Sequence, residues 1–321
     1  KNLIAFKDNY IQNMRLTLLG CTGFIGKELV PTLLNNGHEI CIISRKSINK
    51  LKIAIDIKRF KFLKLDLSKK QNWNNENLIN ILKETDGIIN LIGEPIADKK
   101  WTFSQKEEIT NSRINTTKLL MKSLKEYKIN PKVIINGSAI GYYGTSLSKE
   151  FNENSIGGND FLANLCKNWE AAASEKPFFS RLVILRIGIV LEADGGALGK
   201  MLPVFKLGLG GPIGNGMQWM SWIHRSDLCD LIIKALIDKK FSGVINAVSP
   251  EPVLMKDFSK TLGKCLNRPN LLPVPSTLLK VLLGDGAKVV LEGQKVISIK
   301  LKNYKFKYPL LEKAINASTR S

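Results

Sequence analysis

The sequence predicts an α/β protein: a doubly wound parallel sheet of Rossmann type, followed by a smaller C-terminal, substrate-side domain. Three observations predict it. Strand-like and helix-like segments alternate from Arg15 to Val190, the pattern of a parallel sheet with helices on both faces. Gly20, Gly23 and Gly26 join the first strand to the first helix, where the pyrophosphate of a dinucleotide would rest on free N–H groups at a helix N-terminus. Beyond Gly195 the alternation gives way to glycine-rich loops and proline-bracketed turns, which mark a second portion.

Taken in order, residues 15–19 are apolar and extended, and residues 24–35 carry a helical apolar period. Between them, Gly20 allows the turn, Gly23 lets backbone approach a phosphate, and Gly26 lets helix and strand pack closely; Thr22, Phe24 and Ile25 complete the loop. The spacing is GxxGxxG and not the commoner GxGxxG, so the glycines alone leave an ordinary turn open. The flanking strand and helix are what argue for a cofactor. A second strand, residues 39–44, ends in Ser44-Arg45-Lys46 with no acid before Asp56. An acid at this strand end binds a ribose 2′-hydroxyl and an arginine accommodates a 2′-phosphate, so the reading is NADP(H) over NAD, against a solvated turn in a lysine-rich chain. Residues 60–67 form a third strand, with Asp66 placed for the adenine. A weak helix over 74–84 leads to a buried fourth strand, 87–92, whose end at Leu91-Ile92-Gly93 brings backbone against the cofactor.

Residues 104–127 form a long amphipathic helix with Ile109, Leu120 and Leu124 inward. Residues 133–137 are the fifth strand, with Ser138 at its C-terminal end. A polar insertion, 142–159, precedes a helix over 160–175 and a sixth strand over 182–190. Thereafter a short helix, 197–207, lies between glycine-rich loops. Residues 222–237 read as strand into helix, 243–248 as strand, 255–266 as helix, and a last helical segment begins near residue 276. The expected organisation is a dinucleotide-binding domain over 14–194, with 222–248 packing back on it, and a substrate-side region over 195–321.

The net charge of +20 is mostly lysine spread along the chain among Asn and Ile, with no basic block or basic stripe with interleaved aromatics. That excludes a specific nucleic-acid reader and leaves non-specific polyanion affinity open. Mean hydropathy is −0.04, and the apolar runs fall well short of the roughly 20 residues a membrane span needs. The five cysteines are odd in number and lack a CxxC, the usage of a reducing compartment, either a bacterial cytoplasm or a plastid stroma. His38 and His224, the only histidines, exclude a His-based metal cluster. Residues 1–13 lack the apolar core of a secretory signal and read as a frayed extension or the remnant of a leader.

The segments GCTGFIGKELV, SRK, NLIGEPIADKKW, SRINTTKLL, SAIGYYG, WEAAA, LRIGIVL, MLPVFKLGLGGPIGNG, WIHRSDL, NAVSPEPV and LEGQKV occur in this order. Together they resemble the atypical short-chain dehydrogenases/reductases of the epimerase family with a characteristic C-terminal domain. That group includes proteins described as nucleoside-diphosphate-sugar epimerases and, in cyanobacteria and plastids, as linked to cell division. The resemblance implies NADP(H) contacts at Ser44, Arg45, Leu91, Ile92, Glu108, Arg113 and Val190. Glu108 and Arg113 lie five residues apart, about 140° around a helix, and need not share a face.

Enzymes of this superfamily use a Tyr whose pKa is lowered by a Lys four residues later, one helical turn away. The residues four after Tyr10, Tyr127, Tyr142, Tyr143, Tyr304 and Tyr308 are Met14, Pro131, Ser146, Leu147, Tyr308 and Glu312, so no Tyr-x-x-x-Lys exists. Ser138 keeps the place of the substrate-orienting hydroxyl, while the helix that should carry the pair offers Phe161 and Leu165. Tyr142 or Tyr143 is a candidate phenol and Lys167 a candidate cation, with aromatic packing the alternative. Glu94, Asp98, Lys99 and Trp101 lie in the loop after the fourth strand, where ligands bind. His224 with Asp227 reads more simply as a structural hydrogen bond than as an acid/base pair. Two functions remain: an NADP(H)-dependent oxidoreductase or epimerase-like enzyme acting on a small molecule through a different relay, and a nucleotide-binding protein without turnover whose shape a protein partner reads.

Overall fold

The computed structural model describes residues 13–46 and 58–319. Its strands are β1 (Arg15–Leu19), β2 (Glu39–Ser44), β3 (Phe60–Lys64), β4 (Gly87–Asn90), β5 (Val133–Ala139), β6 (Glu150–Phe151), β7 (Arg181–Ile187), β8 (Ile189–Glu192), β9 (Trp219–Met220), β10 (Trp222–His224), β11 (Gly243–Ala247), β12 (Val253–Leu254) and β13 (Lys295–Val296). Its helices are α1 (Gly26–Asn35), α2 (Glu76–Glu84), α3 (Phe103–Glu126), α4 (Phe161–Ser174), α5 (Gly196–Lys206), α6 (Arg225–Ile237), α7 (Met255–Leu266), α8 (Ser276–Leu283), α9 (Lys288–Leu291) and α10 (Leu311–Thr319).

Seven strands make one parallel sheet in the order β11-β7-β5-β4-β1-β2-β3. The order reverses direction between β1 and β4, and such a switch point opens a crevice at the carboxyl ends of the strands. Side chains alternate across the sheet with period two. Leu18, Ile42, Ile89 and Ile135 pack with α1 and α6 on one face, and Leu19, Ile43, Ile88 and Ile134 pack with α2 and α3 on the other. A third core joins α5, α7 and α10 through Leu202, Phe205, Phe258, Leu262 and Ile315. β11 extends the main sheet beyond β7, so residues from the C-terminal half complete it.

Local chemistry sets several boundaries. The helix expected from residue 74 begins at Glu76 because the Asn75 side chain accepts from the N–H of Leu78 at 3.1 Å. The strand expected over 182–190 is two strands broken at Gly188, where a Cβ would stand 2.6 Å from the carbonyl oxygen of Ser221. The close passage of that backbone diverts the chain, and β8 pairs with β10 outside the main sheet. Ser138 lies inside β5 and not just beyond it. Among the described residues no helix is long and apolar enough to cross a membrane.

Candidate active site

The glycine turn sits at the crevice. Gly20 has φ +76°, and a Cβ there would meet the backbone of Leu91 and Ile92 at 2.5 Å, so β1 turns tightly against the end of β4. At Gly26 a Cβ would fall 1.7 Å from the Cys21 carbonyl oxygen. Gly23 differs from both: a Cβ would have nothing within 4 Å. A side chain here would therefore occupy open space above the α1 N-terminus, the space a pyrophosphate needs. The residues present fit the diphosphate of a dinucleotide.

Phe24 turns its ring away from this space, against Gly195 and Gly196, with the Arg225 guanidinium 5.0 Å from its centroid. Arg225 also pairs with Glu28 at 3.0 Å and with Asp194 at 2.5 Å, and Lys27 reaches Asp194 at 2.9 Å. These bonds clamp the start of α1 to the loop after β8. At the end of β2, the Ser44 hydroxyl lies 3.3 Å from that of Thr22 and accepts from the Lys46 N–H. Arg45 is exposed and reaches the Glu94 carboxylate at 3.4 Å, spanning the end of β1. An exposed ion pair contributes little, so a phosphate dianion can take Arg45 from it. The Asp66 carboxylate accepts from the Ser68 amide and hydroxyl. Against the opposing effect of burial, these bonds and the nearby Arg45 hold its pKa below the ordinary value. Asp66 therefore shapes its own turn after β3.

Along the sheet edge the crevice continues into a cavity of about 490 Å³, within the range for one small-molecule ligand. Ile25 and Leu91 line it on the cofactor side, Ser138 and Ile187 at the strand ends, α4 on one wall, and residues 285–294 above. Arg113 reaches it from α3, with its guanidinium against Gly93 and 5.4 Å from the Trp169 ring centroid. Burial lowers its pKa to about 10, and no carboxylate among the described residues pairs with it. Glu108 faces outward instead, toward Lys99 at 3.8 Å. Val190 follows in β8, paired with Ile223. Behind the strand ends, Asn90 donates to Thr117 and Asn136, and the Trp169 indole N–H donates to Thr117, which fixes β4 and β5 against α3 and α4.

The sequence-predicted catalytic residues separate here. Ser138 lines the cavity, and its hydroxyl donates to Glu170 Oε1 at 2.7 Å. Glu170 also takes two bonds of 2.8 Å from Arg186. Burial would lower the Arg186 pKa, but the Glu170 bonds and charge outweigh it and raise it. Arg186 in turn donates to the Tyr143 phenol at 2.9 Å, and that phenol donates to Asn246 Oδ1 at 2.7 Å. Tyr143 is thus a buried strut, its pKa raised by burial, and the reading of it as a free phenol is corrected.

Tyr142 lies with its ring under the same guanidinium, 3.3 Å from centroid to carbon. The Lys167 stem and the Tyr142 ring both press on Gly157, where a Cβ would meet them at 2.6 and 2.8 Å. Neither lines the cavity, so Tyr142 and Lys167 are structural neighbours on the far side of α4. The face of α4 that does line the cavity shows Leu162 and Cys166, one turn apart. The Cys166 thiol is kept protonated, its pKa pushed up to about 11 by burial. Glu170 and Arg186 were missed in the sequence because their partners lie 16 to 43 residues away along the chain. His224 Nδ1 accepts from the Ser226 N–H to cap α6, and Asp227 accepts from the N–H groups of Lys307 and Tyr308, both structural.

The NAD dependent epimerase/dehydratase family matches residues 16–247, and a domain of unknown function, DUF1731, matches residues 274–318. An Arabidopsis thaliana relative, epimerase family protein SDR39U1 homolog, chloroplastic, is 39% identical over 308 residues, which are 95% of this chain and 86% of that one. The crystal structure of human epimerase family protein SDR39U1 with NADPH superposes with a TM-score of 0.84 at 35% identity, covering 96% of this chain and 100% of that one. A nucleoside-diphosphate sugar epimerase from Corynebacterium glutamicum superposes with a TM-score of 0.72 at 28% identity, covering 95% of this chain and 58% of that one.

Proposed function

This chain belongs to the NAD dependent epimerase/dehydratase family, and from that membership we propose that it binds NADP(H) and acts as an oxidoreductase or epimerase-like enzyme on a small molecule. The observation that carries the reading is the continuity of three features at one sheet edge: the open space at Gly23, the Ser44-Arg45 strand end, and the cavity beside Leu91 and Ser138. The human relative, solved with NADPH, supports the 2′-phosphorylated cofactor.

In this reading the turn from Gly20 through Thr22, Gly23, Phe24 and Ile25 to Gly26 holds the pyrophosphate, with Phe24 contributing backbone only. Ser44 and Arg45 hold the 2′-phosphate, and the loop of Asp66 borders the adenine. Leu91, Ile92, Gly93, Arg113 and Val190 enclose the remainder, while Glu108, turned outward to Lys99, stays outside it. When bound, the cofactor supplies or accepts a hydride at its nicotinamide. Ser138 orients the substrate through its lone pairs, because its proton is already donated to Glu170. Five free cysteines suit a reducing compartment such as a bacterial cytoplasm or plastid stroma.

Leu162 and Cys166 at one-turn spacing on the cavity wall favour a second reading, an NADP(H)-binding regulator that turns nothing over and signals to a protein partner. One experiment tests the cofactor and separates the two functions. The protein and Arg45→Ala are titrated with NADPH and NADH, and any co-purifying small molecule is identified by mass spectrometry and offered as substrate. We expect NADPH to bind at least about tenfold tighter than NADH and to lose that margin in Arg45→Ala. Absence of binding to either nucleotide overturns both readings, and binding without turnover of the co-purified molecule favours the second.

A further inference from the structure

We propose that the outer part of the cavity takes an uncharged, largely apolar molecule bearing a single carbonyl or hydroxyl group, and not a nucleotide sugar. The inference rests on the reading that this cavity is the substrate site, though not on the identity of the cofactor. Its walls are Trp101, Phe161, Leu162, Leu165, Trp219 and Val289. Trp101 and Phe161 meet edge to face at 5.2 Å, a packed aromatic corner that presents no hydrogen-bond donor, since the Trp101 N–H already donates to the Ile96 carbonyl at 2.7 Å. The Trp219 N–H is likewise committed, to the Leu147 carbonyl.

A nucleotide sugar brings two phosphates and several hydroxyls, and a site for it must match that charge. The lining offers no cationic excess. Lys106, Arg113 and Lys288 stand against Asp160, Asp285 and Glu292. Lys106 is moreover held by Asp285 at 2.7 Å. A charge-balanced lining in a chain of net charge +20 is a poor seat for a diphosphate. At the deep end, Ser138 Oγ offers lone pairs to one hydroxyl, while a carbonyl oxygen would find a weak donor in the Cys166 thiol that also lines the cavity. The wall beside it is Leu162 and an un-ionised Cys166 thiol. One oxygen can be served here, and a ring of hydroxyls cannot.

The test is tryptophan fluorescence of the cofactor-free protein, since Trp101, Trp169 and Trp219 all line the cavity. Three probes are titrated: 2-acetylnaphthalene as an uncharged apolar ketone, 2-naphthoate as an anion of the same shape, and UDP-glucose. Two wall variants, Phe161→Ser and Val289→Ser, are run beside the parent. Both positions are half-buried, and either variant alone decides the matter if the other fails to fold. The expected result is saturable binding of the ketone, at least about tenfold tighter than the naphthoate, weakened about fivefold or more in each folded variant, with no response to UDP-glucose. UDP-glucose binding as tight as the ketone, no ketone binding, or ketone binding indifferent to both variants overturns the inference. NADPH titrated into the same samples keeps the two ideas apart. Normal NADPH binding without ketone binding removes this inference alone, and ketone binding without NADPH binding removes the cofactor reading alone.

Discussion

Mildly acidic solution should weaken this fold through His224. The ring is 2% exposed, its Nδ1 accepts the Ser226 N–H at 3.2 Å, and its Nε2 lies 3.2 Å from the Ser318 hydroxyl and 3.7 Å from Glu192 Oε2. Burial, helped by the neighbouring Arg225 and Lys307, outweighs the opposing charge of Glu28, and the pKa falls from 6.5 to about 4. Between those values the unfolded chain binds the proton and the folded one does not. Stability is therefore full above about pH 7 and declines as pH drops through 6.5 toward 4. For this shift the loss amounts to about 2 kcal/mol at pH 5. His224→Asn preserves the α6 cap, because an Asn oxygen accepts the same N–H, and it removes the titration. Urea unfolding of both proteins at pH 7.5 and pH 5, at constant ionic strength, isolates the effect, since His38 and the carboxylates titrate alike in both. The parent should lose about 2 kcal/mol more than the variant over that interval. Equal losses, within about 0.5 kcal/mol, would refute the argument that burial governs this histidine.

The glycines and the Glu170 network supply three more tests. Gly23→Val should fold with nearly unchanged thermal stability yet bind NADPH at least about tenfold more weakly, because its side chain enters only the space left for the pyrophosphate. Gly26→Ala, which drives a Cβ into the Cys21 carbonyl, should instead cost about 3 kcal/mol or more in thermal or urea unfolding. Glu170→Ala leaves Arg186 buried without its carboxylate and orphans the Ser138 hydroxyl. It should destabilise the protein by about 3–5 kcal/mol in denaturant titration, with much of that recovered in the double replacement Glu170→Leu/Arg186→Leu.

The sheet and most helices were legible because their signals are local. Alternating apolar strands, and Gly26 against Cys21, act within a few residues of themselves, and α7 begins and ends where its apolar period does. The geometry of the glycine turn and of the β2 end was legible for the same reason, since both are short motifs with fixed mechanics. The cavity lining was not. Which face of α4 meets the cavity depends on how the helix is rotated against β5, and that rotation shows Leu162 and Cys166 while turning Lys167 toward Gly157. The role of Tyr143 depends on Asn246, 103 residues away, and the roof of the cavity on residues 285–294. A chain-local reading has no access to such pairings. Gly188 is a related case: the break it makes in the sixth strand comes from the Ser221 backbone crossing beside it.

β11 carries a lesson in modularity. Because this edge strand of the main sheet comes from residue 243 onward yet hydrogen-bonds to β7, the expected boundary near residue 194 is not a place where the chain can be cut. A fragment ending near residue 194 would leave β7 as a bare sheet edge, the kind of surface that recruits strands from other molecules. It would also lose Arg225, which ties α1 to the loop after β8. Any graft onto this fold must therefore carry β10, α6 and β11 with the glycine turn and exchange only what lies around them, above all the cavity roof of residues 285–294.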